Sequence, residues 1–202
     1  AVDTKELINF QKTISEDEKN RAKAALGIKS GPVAIFLGRM YEEKRIPFLI
    51  DACLEIKKGI PDFQIIFIGK GEFKTVVQDF AKQEDWVYYL EPVSGRKKLV
   101  YLSLAQVVLM PGLVGLVVLD SFVAGVPIVT TDYPFHSPEI EYIKNDSNGV
   151  ITENNLAAYA NQVVDLLGDN KKLELLKGEC RASAKQYTIE KMIDNFKKGI
   201  IS

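Results

Sequence analysis

The sequence predicts an α/β fold in three layers, a parallel sheet flanked on both faces by helices. Three observations carry this. Short apolar runs alternate with longer amphipathic segments, the pattern of strands and crossover helices. Most of the runs are apolar at nearly every position, as strands are when both faces of their sheet are covered. Each intervening helical segment is short enough to be one crossover, which should be right-handed.

In chain order, Ser15 and Glu18 form a capping box that opens a helix through Ala25, ahead of the first strand. Strands are predicted at 33–37 (VAIFL), 64–68 (QIIFI), 86–90 (WVYYL), 106–110 (QVVLM), 127–131 (PIVTT) and 149–152 (GVIT). Between the first two, Ile46, Leu49, Ile50, Cys53 and Leu54 recur along one helical face, and Gly59 and Pro61 stop the helix. Further helices are predicted over 72–83, 95–103, 115–124 and 138–144. Beyond the last strand the pattern is helical only, ending in a stripe of Ile189, Met192, Ile193, Phe196 and Ile200. The whole reads as one domain over 1–202, with an entry segment and helix (1–30), a Rossmann-like core (31–152) and C-terminal helices (153–202).

A chain of 202 residues, 47% hydrophobic and 26% charged, can bury one continuous core. Its 26 lysines and arginines nearly balance 27 aspartates and glutamates. No overall field therefore draws it to nucleic acid or to an anionic membrane, and any anion site must be local. Cys53 and Cys180 lie far apart with no paired spacing, which speaks against a metal knuckle or a disulfide framework and fits a reducing cytoplasm. No run approaches the roughly 20 apolar residues of a membrane span, and the first residues lack the order of a secretory signal.

Open parallel sheets bind ligands beyond the carboxyl ends of their strands, where the strand order reverses. In the order 3-2-1-4-5-6 that crevice lies between the first and fourth strands, so the loops GRMYEEKR and PGLVG matter most. In the first, Gly38 allows a sharp exit from the strand, and Arg39 and Lys44 set two cations at the crevice mouth, suited to a diphosphate. The plainer reading pairs Arg39 with Glu42 or Glu43 on the surface, where lone ion pairs mean little. In the second loop, Pro111, Gly112 and Gly115 deliver a helix start with free amides and the positive end of a dipole. The plainer reading there is a tight turn for close packing. A helix dipole contributes only about 0.3–1 kcal/mol near a surface, so the cations should dominate phosphate affinity while the amides set orientation. Asp120, inside the apolar run LVVLDSFVAG, either accepts hydrogen bonds from sugar hydroxyls or faces solvent, and the pattern leaves both open.

Three weaker signals follow. Gly69 and Gly71 in GKGEF read as a strand-to-helix turn at the crevice edge rather than a phosphate cradle. His136, the single histidine, has no evident catalytic partner; Ser137 as a cap and Pro138 at the first helical position explain its surroundings. Trp86 reads as strand-end packing.

Read together, these loops resemble the C-terminal, donor-binding domain of retaining GT-B glycosyltransferases of the group-one type (family four), which includes many bacterial capsule, lipopolysaccharide and exopolysaccharide transferases. AVDT is similar to the GVDT that opens that domain, and FLGRMYEEKRIPFLIDA to its glycine-arginine, lysine and helix pattern. IFIGKGEFK resembles its IGxG turn, VVLMPGLVGLVVLDSFVAGVPIVTT its strand, loop and donor-binding helix, and PEIEYI followed by NGV its closing segment. Five pieces in the right order are specific where each alone is not.

The resemblance implies transfer of a sugar from a nucleotide-diphosphate sugar, UDP among the candidate carriers, to an acceptor in bacterial polysaccharide or glycolipid synthesis. Arg39 and Lys44 would stabilise the diphosphate leaving group in place of a metal ion, so neither metal nor cofactor is expected beyond the nucleotide sugar as co-substrate. Asp120 would hold the ribose hydroxyls, the amides from Gly115 through Leu116 to Val117 would touch phosphate, and the backbone near Val93 would read the base. Gly38, Gly69, Gly71, Gly112, Leu113 and Val114 would complete the donor site. An N-terminal acceptor-binding domain would be the missing partner, and without it the chain should bind donor weakly and turn over little. No nucleic-acid partner is expected, and the place implied is the cytoplasm, with the full-length protein peripheral at the inner membrane face.

This sequence departs from the family in two respects, its length, which leaves no room for the acceptor-binding domain, and the loop and helix after the fourth strand. Members usually carry glutamates at both ends of a seven-residue gap, where this chain has Gly112 and Asp120. Asp120 is a shorter substitute, whereas Gly112 offers the donor sugar no carboxylate, and the PGxVGL form of the loop suggests that backbone amides grip the sugar instead. The alternative is therefore a non-catalytic nucleotide-sugar-binding module or degenerate transferase. A flavodoxin-like or receiver-type interaction module comes last, because such domains carry acidic or phosphate-cradling loops after the first strand rather than Arg39 and Lys44.

Overall fold

In the computed structural model, which describes residues 4–187, the six apolar runs are strands β1 (Val33–Leu37), β2 (Gln64–Ile68), β3 (Val87–Leu90), β4 (Val107–Leu109), β5 (Ile128–Thr131) and β6 (Gly149–Thr152). They pair in the order β3-β2-β1-β4-β5-β6, all parallel. β1 lies in full register with β2, from Val33 opposite Gln64 to Leu37 opposite Ile68, and meets β4 at Ala34–Val107 and Ile35–Val108. The order thus reverses between β1 and β4, the place at which a crevice opens in such sheets. Every residue of β2, β4 and β5 is buried, which is the covering of both faces that their unbroken apolar sequence predicts.

Among the described residues, eight helices cover the sheet: α1 (Thr4–Lys12), α2 (Glu16–Leu26), α3 (Ile46–Gly59), α4 (Lys74–Gln83), α5 (Gly95–Leu102), α6 (Val117–Ala124), α7 (Leu156–Gly168) and α8 (Asn170–Ala184). α3 packs on α4 and α7 in one layer; α5 and α6 pack on each other and on α1, with α2 against α5 and α8 against α6, in the other. The helix of the predicted stripe, α3, buries Ile46, Leu49 and Cys53, while Leu54 at the edge of the stripe is exposed. Trp86 packs at the foot of β3 against Phe63 and Phe80, with ring centroids 6.0 and 5.4 Å away. Cys53 and Cys180 are both buried free thiols.

The capping box is present. Ser15 Oγ accepts from the Glu18 amide at 3.2 Å, and the Glu18 carboxylate accepts from the Ser15 amide at 3.0 Å. That carboxylate also takes two bonds from Arg96 of α5, at 2.9 and 2.7 Å, so the entry helix is tied to the core.

Several boundaries differ from the sequence expectation. The segment 138–144 forms only a 3-10 turn, Pro138–Tyr142, in which no residue is buried, so nothing rewards a longer helix. α4 begins at Lys74 rather than 72 because the residues before it are spent on a turn, Phe73 donating to the Met40 carbonyl at 3.1 Å. α6 begins at Val117 rather than 115. α1 buries only Thr4 and Leu7, so it leaves little pattern in the sequence to read. The stripe from Ile189 to Ile200 and the first three residues of AVDT lie outside the described residues.

Candidate functional site

At the carboxyl ends of β1 and β2 the chain segments touch backbone to backbone. Gly38 donates to the Ile68 carbonyl at 3.0 Å, and Met40 to that of Lys70 at 2.8 Å. A Cβ on Gly69 would overlap the Gly38 carbonyl oxygen, and one on Gly71 would overlap that of Met40. These two glycines therefore serve close approach, the turn reading of GKGEF. Gly69 borders a cleft of about 210 Å³ that also holds Gly38, Arg39, Pro92 and Val93; Gly71 does not line it.

Arg39 is exposed at that cleft and, among the described residues, makes neither a hydrogen bond nor an ion pair; the surface pairing with Glu42 or Glu43 is absent. Lys44 behaves differently. It is 6% exposed, its ammonium donates to the Leu113 carbonyl, and it stands 5.6 Å from the centroid of the Tyr41 ring. Burial pushes its pKa down to about 8, against the opposing pull of Glu139 and Glu43.

The loop after β4 is fastened to this turn and to the loop after β5. Leu113 donates to the Glu43 carbonyl at 2.8 Å, and a Cβ on Gly112 would overlap that same oxygen. Close packing is thus one reason for the glycine. Val114 donates to Nδ1 of His136 at 3.1 Å, the other ring nitrogen meets the Thr131 carbonyl at 2.8 Å, and the Ser137 hydroxyl donates to the Val114 carbonyl. With Nδ1 accepting, His136 is the neutral tautomer bearing its proton on Nε2. Its pKa is lowered by burial and, further, by Lys44, with the Thr131 bond opposing. The histidine is a brace for the loop. The amides of Leu113 and Val114 are consequently occupied, whereas those of Gly115, Leu116 and Val117, at the entrance to α6, have no acceptor among the described residues.

Asp120, one turn into α6, is 5% exposed, so its solvent-facing alternative does not hold. Its Oδ1 lies 2.6 Å from Nζ of Lys98 on α5, an ion pair lacking the direction of a hydrogen bond, and that oxygen has no other partner. Burial raises the Asp120 pKa while Lys98 pulls it back down.

Sequence reading missed Lys98, which only the packing of α5 on α6 brings to Asp120. It also missed Arg45, whose guanidinium reaches Pro111, Thr131 and Asn154. Lys98 stands in no motif or periodic stripe, and Arg45, although it ends the loop GRMYEEKR, carries nothing in the pattern that sets it apart. The brace made by His136 left one trace, a lone histidine beside Ser137, whose hydroxyl makes no helix cap and is spent on the Val114 carbonyl instead. Among the described residues no three of His, Cys, Asp or Glu gather as metal ligands, and no helix is long and apolar enough to cross a membrane.

Known proteins share this fold and much of this sequence pattern. The family model for Glycosyl transferases group 1 matches residues 31–169. An uncharacterized glycosyltransferase of Haemophilus influenzae is 27% identical over 172 residues, covering 82% of this chain and 47% of its own. The alpha-monoglucosyldiacylglycerol synthase of Acholeplasma laidlawii is 26% identical over 154 residues, covering 72% and 38%. The chain spans less than half the length of these curated relatives. Among solved structures, Anabaena HepE in complex with UDP-glucose matches with a TM-score of 0.78 at 18% identity, over 96% of this chain and 54% of that one. The C-terminal domain of the glycosyl transferase group 1 family protein LpcC from Francisella tularensis matches with a TM-score of 0.74 at 18% identity, over 94% of this chain and all of that one. At such identities the structures speak for the fold.

Proposed function

The chain belongs to the group 1 glycosyl transferases, and on that premise we propose that it is the donor-binding half of a retaining, metal-independent transferase, with a nucleotide-diphosphate sugar in the crevice between β1 and β4. One observation carries the reading. Lys44, a buried cation, is bonded to the loop that leads into three unclaimed amides, Gly115 to Val117. Charge and orientation for a diphosphate are therefore supplied side by side. Arg39, held by no partner among the described residues, is the second cation.

In the transfer the bond between the sugar's anomeric carbon and the diphosphate oxygen breaks, and the electron pair goes to that oxygen. Arg39 and Lys44 stabilise the charge that develops there. The acceptor hydroxyl oxygen forms the new bond to the anomeric carbon, and its proton passes to the departing diphosphate oxygen. Asp120 accepts from the ribose hydroxyls, and the cleft at Gly38, Gly69 and Val93 takes the base. HepE, whose complex holds UDP-glucose, supports a uridine carrier, and the lipid-modifying Acholeplasma relative supports glycolipid or polysaccharide as the product class. The acceptor belongs to a second domain, and the reaction to the cytoplasmic side of the membrane.

Calorimetric titration with UDP, GDP and ADP tests this. One nucleotide should bind, and Arg39→Ala and Lys44→Ala should each weaken it about 10- to 100-fold, the worth of a charged hydrogen bond. Variants that bind as the parent does would end the assignment. A second reading, binding without turnover, is favoured by Gly112, which offers no carboxylate. Nucleotide release from a panel of sugar donors by the protein joined to its acceptor domain separates the two readings.

A further inference from the structure

Arg45 holds a backbone conformation that side chains avoid. With φ 55° and ψ 46° it lies in the left-handed region, at a cost of about 1–2 kcal/mol for a residue with a Cβ. Glycine would take the same dihedrals freely. Such strain persists where the surroundings over-determine it, and here they do. One guanidinium nitrogen lies 3.3 Å from the Pro111 carbonyl oxygen, 3.4 Å from Oγ1 of Thr131 and 2.5 Å from Oδ1 of Asn154. The guanidinium carbon sits 4.1 Å from the Phe48 ring centroid and 5.4 Å from that of Tyr133. The Thr131 hydroxyl donates to the same Pro111 oxygen at 2.7 Å. A side chain from the turn after β1 thus meets the chain where it leaves β4, β5 and β6.

Three consecutive residues of that turn grip one loop. Glu43 accepts from the Leu113 amide, Lys44 donates to the Leu113 carbonyl, and Arg45 donates to the Pro111 carbonyl. If the turn alone mattered, arginine would be a poor residue for it; what arginine adds is the guanidinium. We propose that Arg45 is a positioning residue that fixes the loop from Pro111 to Val117, so that Lys44 and the unclaimed amides are set before a ligand arrives. Its value for nucleotide binding rests on the donor-site reading; its effect on the loop does not.

The test uses the 202-residue chain with Arg45→Gly, which relieves the backbone and deletes the guanidinium, and Arg45→Lys, which keeps the charge but not the planar fork. Amide hydrogen exchange is followed without nucleotide, and UDP affinity by calorimetry. In both variants, exchange at the bonded amides of Leu113 and Val114 should quicken at least about fivefold while the sheet amides keep their parent rates. UDP should bind about tenfold more weakly, with Arg45→Lys no better than halfway restored. Parent-like exchange at Leu113 and Val114 overturns the proposal whether or not UDP binds, and so does faster exchange spread evenly over the whole chain. If the parent fails to bind UDP while exchange at Leu113 and Val114 still quickens in the variants, the donor reading falls and the positioning role stands.

Discussion

The ammonium of Lys44 donates to the carbonyl of Leu113, bonding the turn after β1 to the loop after β4 across the point where the strand order reverses. Because this lysine loses its proton near pH 8, the interaction has a readable pH dependence. Only the charged form attracts a diphosphate, so UDP affinity should hold steady up to about pH 7 and fall as pH rises through about 8. Lys44→Met should bind more weakly and lack that slope. The unliganded chain should behave in the opposite sense. Its folded-state value lies below the ordinary 10.5, the unfolded chain binds the proton more tightly, and this group's contribution to stability rises with pH between the two values. Calorimetry across that range, with denaturant melts alongside, checks both signs; a flat parent profile would contradict the first.

Asp120 and Lys98 form an ion pair with side-chain exposures of 7% and 17%. Lys98→Met should destabilise the chain by about 3–5 kcal/mol at neutral pH, because it strands a buried carboxylate, and Asp120→Asn added to it should recover most of the loss. Burial holds the Asp120 value above the ordinary 3.8, so the penalty in Lys98→Met should be smallest in acid and grow as pH rises. Urea melts of the two single variants and the double variant decide it; a Lys98→Met chain as stable as the parent would mean the aspartate finds other support.

For His136, removal of the ring leaves the Val114 amide without an acceptor. His136→Ala should lower stability by about 1–3 kcal/mol. The folded value lies below the ordinary 6.5, so the parent's contribution is full above 6.5 and is lost as pH falls through the folded value, when a proton on Nδ1 displaces the Val114 bond. The stability gap between parent and variant should therefore narrow in acid, as thermal melts at two pH values would reveal.

Gly112→Ala should destabilise the chain by about 1–3 kcal/mol through a clash with a backbone oxygen that no rotamer can avoid. It should also loosen UDP binding. A variant that melts and binds like the parent would show that the turn at 42–45 gives way easily.

All six strands were readable within a residue at each end, because unbroken apolar runs have few other places to go in a chain of alternating pattern. The reversal of strand order between β1 and β4 was readable too, and with it the two loops that flank it, GRMYEEKR and PGLVG. What lay beyond reach was the set of contacts between residues distant in the chain. Asp120 could be called costly if buried, but Lys98 is its partner only because α5 packs on α6. Free amides could be expected after Gly112, but the claim of His136 on one and of Glu43 on another needed three-dimensional contact. Arg45 gave no signal, because left-handed strain in an arginine leaves no mark in composition or period.

The seating of Gly112 against the Glu43 oxygen also bears on design. A carboxylate installed at that position would push back the segment that carries both Lys44 and Arg45, so attempts to alter selectivity are better aimed elsewhere around the two loops.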